Sequence, residues 1–258
     1  TALTGFAISW GIFMLFVLSS FGFGFKQAVM DNFKKDNKNV VTCYGGMTSI
    51  PYKGHPTNRF INFKDKDLEI VQNNAFVDEI SPEVVPETND GSGAVVYGDK
   101  SCTATIDGVD ANYKDFHDLE ILSGRFINKT DMQSDDKVVV ISKSMVAKLY
   151  KNGQNPIGTY VKIMSTLFQV IGVSKDGNGW GSSEQVYLPY DMVKRLYNVT
   201  TYNSITFTTK NIYTVKQSEA FTKHFKQTLA RYHEFSPDDT RAVWIDSTVE
   251  GMARTHTV

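Results

Sequence analysis

Five histidines, His55, His117, His224, His233 and His256, are the residues here best suited to proton transfer or metal binding. No two stand four residues apart, and none joins a His/Glu zinc pattern. His224 and His233 share one helical stretch but fall on different faces, so surface or capping roles are expected. Cys43 and Cys102 are too far apart for a metal motif; a disulfide or two buried thiols fits equally well. The adjacent acids Asp135-Asp136 and Asp238-Asp239 lie in polar stretches and read as solvated turns. Gly153-Gln-Asn-Pro-Ile-Gly158-Thr159 has the glycines of a phosphate loop but no lysine to meet terminal phosphates. It follows a helical stretch instead of joining strand to helix, so it reads as a turn. No serine or cysteine sits in a nucleophile elbow. These residues assemble no catalytic, cofactor or metal site, and the chain is expected not to be an enzyme by itself.

The elements explain why chemistry is sparse. From Thr1 to Phe25 no ionisable side chain occurs. A helix of that length would run ~37 Å, against ~30 Å for the hydrocarbon core of a bilayer. The stretch is expected to span a membrane, since a signal peptide needs a basic start and a shorter apolar core. Gly5 and Ser9, and Ser20 and Gly24, have the small-residue spacing of closely packed membrane helices. Phe25, Val29 and Phe33 continue one apolar stripe among charges, so the helix is expected to emerge as a stalk of ~20 Å. Lys26, Lys34, Lys35 and Lys38 then lie on the outer side, against the usual basic bias of cytoplasmic flanks.

The 258 residues carry a net charge of −1 and no basic run, which argues against nucleic acid as a partner. Residues 39–44 read as a strand, 65–73 as a short helix, and 75–85 as a strand broken by Pro82. Residues 94–109 read as a hairpin turning at Gly98-Asp99. Tyr113 to Leu122 reads as a short helix and a turn. Val138–Ile141 is a buried-type strand, followed by a helix capped by Ser142 and ended by Gly153. Two strands, 160–163 and 168–173, join at Ser165-Thr166, and Gly177 to Gly181 reads as a mobile loop. Residues 186–188 form a strand and 191–197 a helix. The close is a strand at 204–209, a helix opened by the capping box Thr214 to Gln217, and a strand at 241–245. That helix puts Phe221, Phe225, Leu229 and Tyr232 on one face. Strand-helix-strand units at both ends of an insertion suggest an α+β domain of two lobes, one built from the ends and one from the middle.

Gly108-Val-Asp-Ala-Asn-Tyr113, Leu122-Ser-Gly-Arg-Phe126 and the run from Val138 to Val173 resemble, in that order, the extracytoplasmic core of MacB-type ABC transporter permeases. The group is related to FtsX and the lipoprotein-releasing permeases. Asn155-Pro-Ile-Gly158, the Val-Ile-Gly-Val ending at Val173, Val186-Tyr-Leu-Pro189 and the opening Thr1-Ala-Leu-Thr-Gly5 fall where that family has them. Leu122-Ser-Gly124 also matches the first residues of the ABC ATPase signature, and Arg125-Phe126 departs from it.

The resemblance implies a division into a transmembrane and stalk helix (1–36), a porter-like lobe (37–107 and 201–250), an inserted Sabre-like lobe (108–200), and a lead into a further span (251–258). It implies a permease that couples cytoplasmic ATP hydrolysis mechanically to export or release of a substrate outside a bacterial inner membrane. The implied partners are a cytoplasmic ABC ATPase that binds the ATP, a second permease copy, a periplasmic adaptor and the lipid bilayer. A membrane-anchored sensor with an extracytoplasmic ligand-binding α+β domain is the alternative.

Overall fold

The computed structural model describes residues 10–14, 17, 39–87, 91–134, 136–151, 153–176 and 184–255. The chain divides into two compact units, Thr1–Asn39 and Val40–Val258. In the first, residues 10–14 are helical and the rings of Trp10 and Phe13 lie 5.9 Å apart. Most of the expected spanning and stalk helix, 1–36, lies outside the described residues. Among the described residues no helix is long and apolar enough to cross a membrane.

The second unit holds two sheets. The smaller has the order β11 (Val243–Ser247), β1 (Asn39–Gly45), β10 (Ser204–Thr209), β2 (Val77–Glu83). It draws its strands from both ends of the chain. Helix α1 (Asp65–Gln72) and the 19-residue α6 (Val215–His233) belong to the same part of the sequence. The Thr214 side chain accepts from the Gln217 N–H, so the expected capping box opens α6. Phe221, Phe225 and Leu229 are buried, and the Phe225 ring sits 5.3 Å from that of Phe207 on β10. Tyr232 departs from the expected face and is 46% exposed, because the buried stripe shifts to Ala230 in the last turn.

Pro82 does not break β2, which runs through it and pairs it with Ile205. The Val84 N–H points away from β10 and toward Gly108, and backbone direction repeats every second residue. The missing N–H of Pro82 therefore faces the same outer side, and no bond to β10 is lost.

The larger sheet runs β5 (Ile121–Gly124), β8 (Thr166–Ser174), β6 (Val138–Ser142), β9 (Gln185–Pro189), β4 (Lys100–Val109), β3 (Ser92–Tyr97), β7 (Tyr160–Ile163). Because β7 also pairs with β8, six of these strands close into a ring, with β5 appended. Val95, Ile106, Ile141, Ile163, Phe168 and Leu188 are among its fully buried members. A second cluster of Val109, Phe126, Ile127, Val140 and Tyr187 is covered by Tyr113, Leu119, Ile121 and Met132. This explains the unbroken run at β6: alternate residues enter different buried clusters, so neither face can be polar.

Ile121 and Leu122 were expected in a turn; they lie in an edge strand because β8 offers partners to Ile121, Ser123 and Gly124, with Leu122 at the irregularity between them. The β7–β8 turn is Met164-Ser165, one residue earlier than expected. Ser142 precedes α4 (Lys143–Leu149) without capping it; the Asp176 side chain accepts from the Ser144 N–H instead, at 2.8 Å. The expected loop at 177–181 lies outside the described residues. The hairpin β3–β4 belongs to the larger sheet, so the change of sheet comes after β2.

Val84 and Gly108 form an isolated bridge between β2 and β4, with N–H to O distances of 2.9 and 2.7 Å. A Cβ on Gly108 would lie 2.9 Å from Val193 side-chain atoms and 3.0 Å from the Tyr190 Cα, both next to or in α5 (Tyr190–Tyr197). Gly108→Ala is expected to lower stability by about 1–3 kcal/mol through overpacking, read as a fall in melting temperature.

Candidate functional site

The bridge between the sheets is flanked by acids. Glu83 precedes Val84 on β2, and Asp107 precedes Gly108 on β4. Glu83 accepts from the Ser204 hydroxyl at 2.7 Å and from Tyr113 at 3.4 Å. Asp107 is 7% exposed. Burial pushes its pKa up to about 7, and the nearby charge of Glu83 adds to the effect. Burial also raises the phenols of Tyr113 and Tyr187, which face the same two carboxylates. His117 stacks on Tyr113 at 4.1 Å, and burial lowers its pKa while Glu83 and Asp118 oppose.

Asp110 ties the next stretch to β2. It accepts from the Ser81 hydroxyl at 2.5 Å and from the N–H groups of Asn112 and Tyr113, which start α2 (Tyr113–Phe116). Burial pushes Asp110 up to about 6 against these bonds. The Asn112 amide donates to the Ile80 carbonyl at 3.1 Å. Farther along, Lys194 of α5 and the Tyr202 hydroxyl both meet Asp65 of α1, at 2.8 and 2.7 Å. These two bonds hold Asp65 below the usual carboxylate range. A cleft of about 470 Å³ opens beside these ties, between Leu68, Ile80 and Pro82 on one side and Asp110, Met132 and Tyr190 on the other.

The groups singled out in the sequence fall elsewhere. His55 pairs with Glu234 at 3.0 Å, and His233 with buried Asp67 at 2.6 Å. His233 is therefore a packed helix-end residue and not a surface one. His224 is exposed, and His256 lies outside the described residues. Cys43 is buried in β1 and Cys102 lies on β4; both are free thiols, and burial pushes both up. Among the described residues no group of three or more His, Cys, Asp or Glu could hold a metal ion. The 153–159 stretch is a turn, with Gly153 and Gly158 at φ +82° and +84°. Asp135 lies outside the described residues. Asp239 is not solvated as expected: it is fully buried and accepts from the Ser49 hydroxyl (2.7 Å) and the N–H groups of Ser49 (2.6 Å), Ile50 and Arg241 (both 3.0 Å). Burial opposes its charge, yet these bonds hold its pKa down at about 2.

Among the described residues the arrangement is a joint: two sheets, one backbone bridge, and buried polar ties on either side. MacB-like periplasmic core domains, as a family, match residues 1–223 of the sequence. This chain belongs to that family. It is a mixed α/β extracytoplasmic domain of the ABC transporter permease type. It is similar to the macrolide export ATP-binding/permease protein MacB of Aggregatibacter actinomycetemcomitans, 29% identical over 196 residues, covering 74% of this chain and 29% of that one. It is also similar to the pyoverdine export ATP-binding/permease protein PvdT of Pseudomonas syringae pv. syringae, 25% identical over 236 residues, covering 89% and 34%. The chain thus spans about a third of the length of these relatives. Its fold matches the periplasmic region of MacB from Actinobacillus actinomycetemcomitans, with a TM-score of 0.65 at 21% identity over 90% of this chain and 99% of that one. The extracellular domain of the noncanonic ABC-type transporter YknZ from Gram-positive bacteria matches with a TM-score of 0.63, also at 21% identity, over 81% and 100%.

The motifs of this MacB-like domain have structural work. Arg125 makes a two-pronged ion pair with buried Asp131, whose carboxylate also accepts from the Asn128 N–H to open α3 (Lys129–Gln133). Gly172 lets β5 approach β8: a Cβ there would sit 2.1 Å from the Arg125 carbonyl oxygen. Glu83 and Asp107 were not singled out in the sequence, and Asp110 entered only as a member of the Gly108–Tyr113 motif. A sign was present, an acid at Asp107 inside an otherwise apolar strand end, Ile106-Asp-Gly-Val109.

Asp239→Asn would turn a donor toward N–H groups that need an acceptor. It is expected to cost about 2–3 kcal/mol near neutral pH, read by chemical denaturation. A depressed carboxylate stabilises above its unfolded pKa. Part of the wild-type stability should therefore fade as pH falls from about 4 toward 2, and the variant should lack that step.

Proposed function

We propose that this chain is the first membrane span and extracytoplasmic domain of a MacB-type permease, and that the domain passes ATP-driven movement of the spans to a substrate outside the inner membrane. One observation carries the reading beyond the family match. β1 and β11 are antiparallel neighbours, with Val41 opposite Ser247, and the Val40 N–H donates to the Thr248 hydroxyl at 3.1 Å. The chain therefore arrives in the domain and leaves it at one place, in one sheet, which suits a domain held between two membrane helices. The smaller sheet would be the porter-like lobe that receives the movement, and the ring with its attached strand the Sabre-like lobe. ATP would bind a cytoplasmic ATPase partner and not this chain. A second permease copy, an adaptor and the bilayer complete the expected assembly. The names of MacB and PvdT as export proteins support export over uptake. The family match favours the permease over a membrane-anchored sensor.

Movement would reach the larger sheet through the joint. In the assembled transporter, a short cleavable cross-link between Asp65→Cys and Lys194→Cys should cut export on the order of tenfold or more, with recovery on cleavage, as expected where a two-state element carries the coupling. Undiminished export in the cross-linked protein would remove the joint from the mechanism. A flexible insert after Gly24 should separate ATP hydrolysis from export in the same assay. Retained coupling would sink the stalk.

A further inference from the structure

The cleft beside the joint has two apolar walls. Leu68 of α1 and Ile80 and Pro82 of β2 form one, and Met132 of α3 and Tyr190 of α5 form the other. Its volume is about 470 Å³, within the ~300–1,000 Å³ usual for small-molecule pockets. Asp110 is the one acid among the residues that line it. The Ser81 hydroxyl and the N–H groups of Asn112 and Tyr113 all donate to Asp110 Oδ1, at 2.5, 3.1 and 3.1 Å. These three bonds fix the carboxylate and leave its Oδ2 for a group in the cleft. Burial pushes Asp110 up to about 6, so its charge gains from a cation placed beside it.

We propose that this cleft binds a compact amphipathic amine: its ammonium group donates to Asp110 Oδ2, and its apolar body lies between Ile80 and Pro82 on one wall and Met132 and Tyr190 on the other. The lining sets the class of ligand. A fixed carboxylate selects a cation, and apolar walls select the body that carries it. Lys129 of α3 is the one base among the lining residues, and it is exposed. It is a flexible surface side chain, and so a weak rival for Asp110. The same lining disfavours an anionic ligand, which would meet the Asp110 charge against apolar walls. The site does not rest on the transport reading above. It is read as binding to the chain itself, so a failed export assay would leave it standing.

The probe is tryptamine, set against its alcohol tryptophol and against indole acetate, which share the ring and differ in the terminal group. Binding is read by equilibrium dialysis near neutral pH against the full chain in zwitterionic lipid nanodiscs, with empty nanodiscs as the blank. Tryptamine should bind about tenfold more tightly than tryptophol, the difference between a charge-assisted and a neutral hydrogen bond, and indole acetate more weakly than either. Asp110→Asn keeps a carbonyl oxygen for the three donors and puts an amide nitrogen where Oδ2 faced the cleft. In that variant tryptamine should fall to the level of tryptophol. Met132→Trp, which fills the cleft, should remove the binding of both, and it serves if Asp110→Asn does not fold. Equal binding of tryptamine and tryptophol by the wild type, tryptamine affinity unchanged in Asp110→Asn, or tryptamine affinity unchanged in Met132→Trp would each overturn the site.

Discussion

Two hydrogen bonds between Val84 and Gly108 join the two sheets, and neighbouring residues are arranged to make that contact possible. A side chain at Gly108 would crowd Val193 and the Tyr190 backbone where the strands meet. Pro82 leaves β2 with no outward N–H two residues before the bridge, so that face of the strand offers less to any other pairing. Ser81–Asp110 and Asn112–Ile80 then tie α2 to β2 beside the bridge. A joint of this kind is stiff in its pieces and narrow where they meet.

The smaller sheet holds the arriving and departing strands side by side, and the larger ring hangs from it through β2 and β10. A push on the arriving strand would therefore meet the joint before it meets the ring. Buried polar residues hold the packing of this unit: Asp239 gathers a loop, Asp131 starts a helix and pairs with Arg125, and Asp67 receives His233. Each of these acids has its partners within the fold.

Much of the architecture was legible in the sequence. Alternation at 94–109, the apolar run at Val138–Ile141, the capping box at Thr214 and the β-branched strand at Ser204 each depend on local spacing, and each stands in the structure. The ordered motifs from Gly108 to Pro189 carried the family, which the match over residues 1–223 shows. The errors came where a distant partner decided the outcome. Ile121 became a strand because β8 lies beside it, Asp176 replaced Ser142 as a cap from 32 residues away, and Asp239 was buried by a loop 189 residues earlier.

The sequence by itself determined the order of elements and the family of this domain, because hydrophobic period, caps and turn residues act within a few positions of the chain. Only the tertiary structure decided that six strands close into a ring and that Glu83 and Asp107 flank one bridge. It also decided that an acid such as Asp239 is buried and charged while Asp107 is buried and favours its proton. Those outcomes depend on desolvation and on donors supplied across long separations in the chain, and no local pattern encodes either.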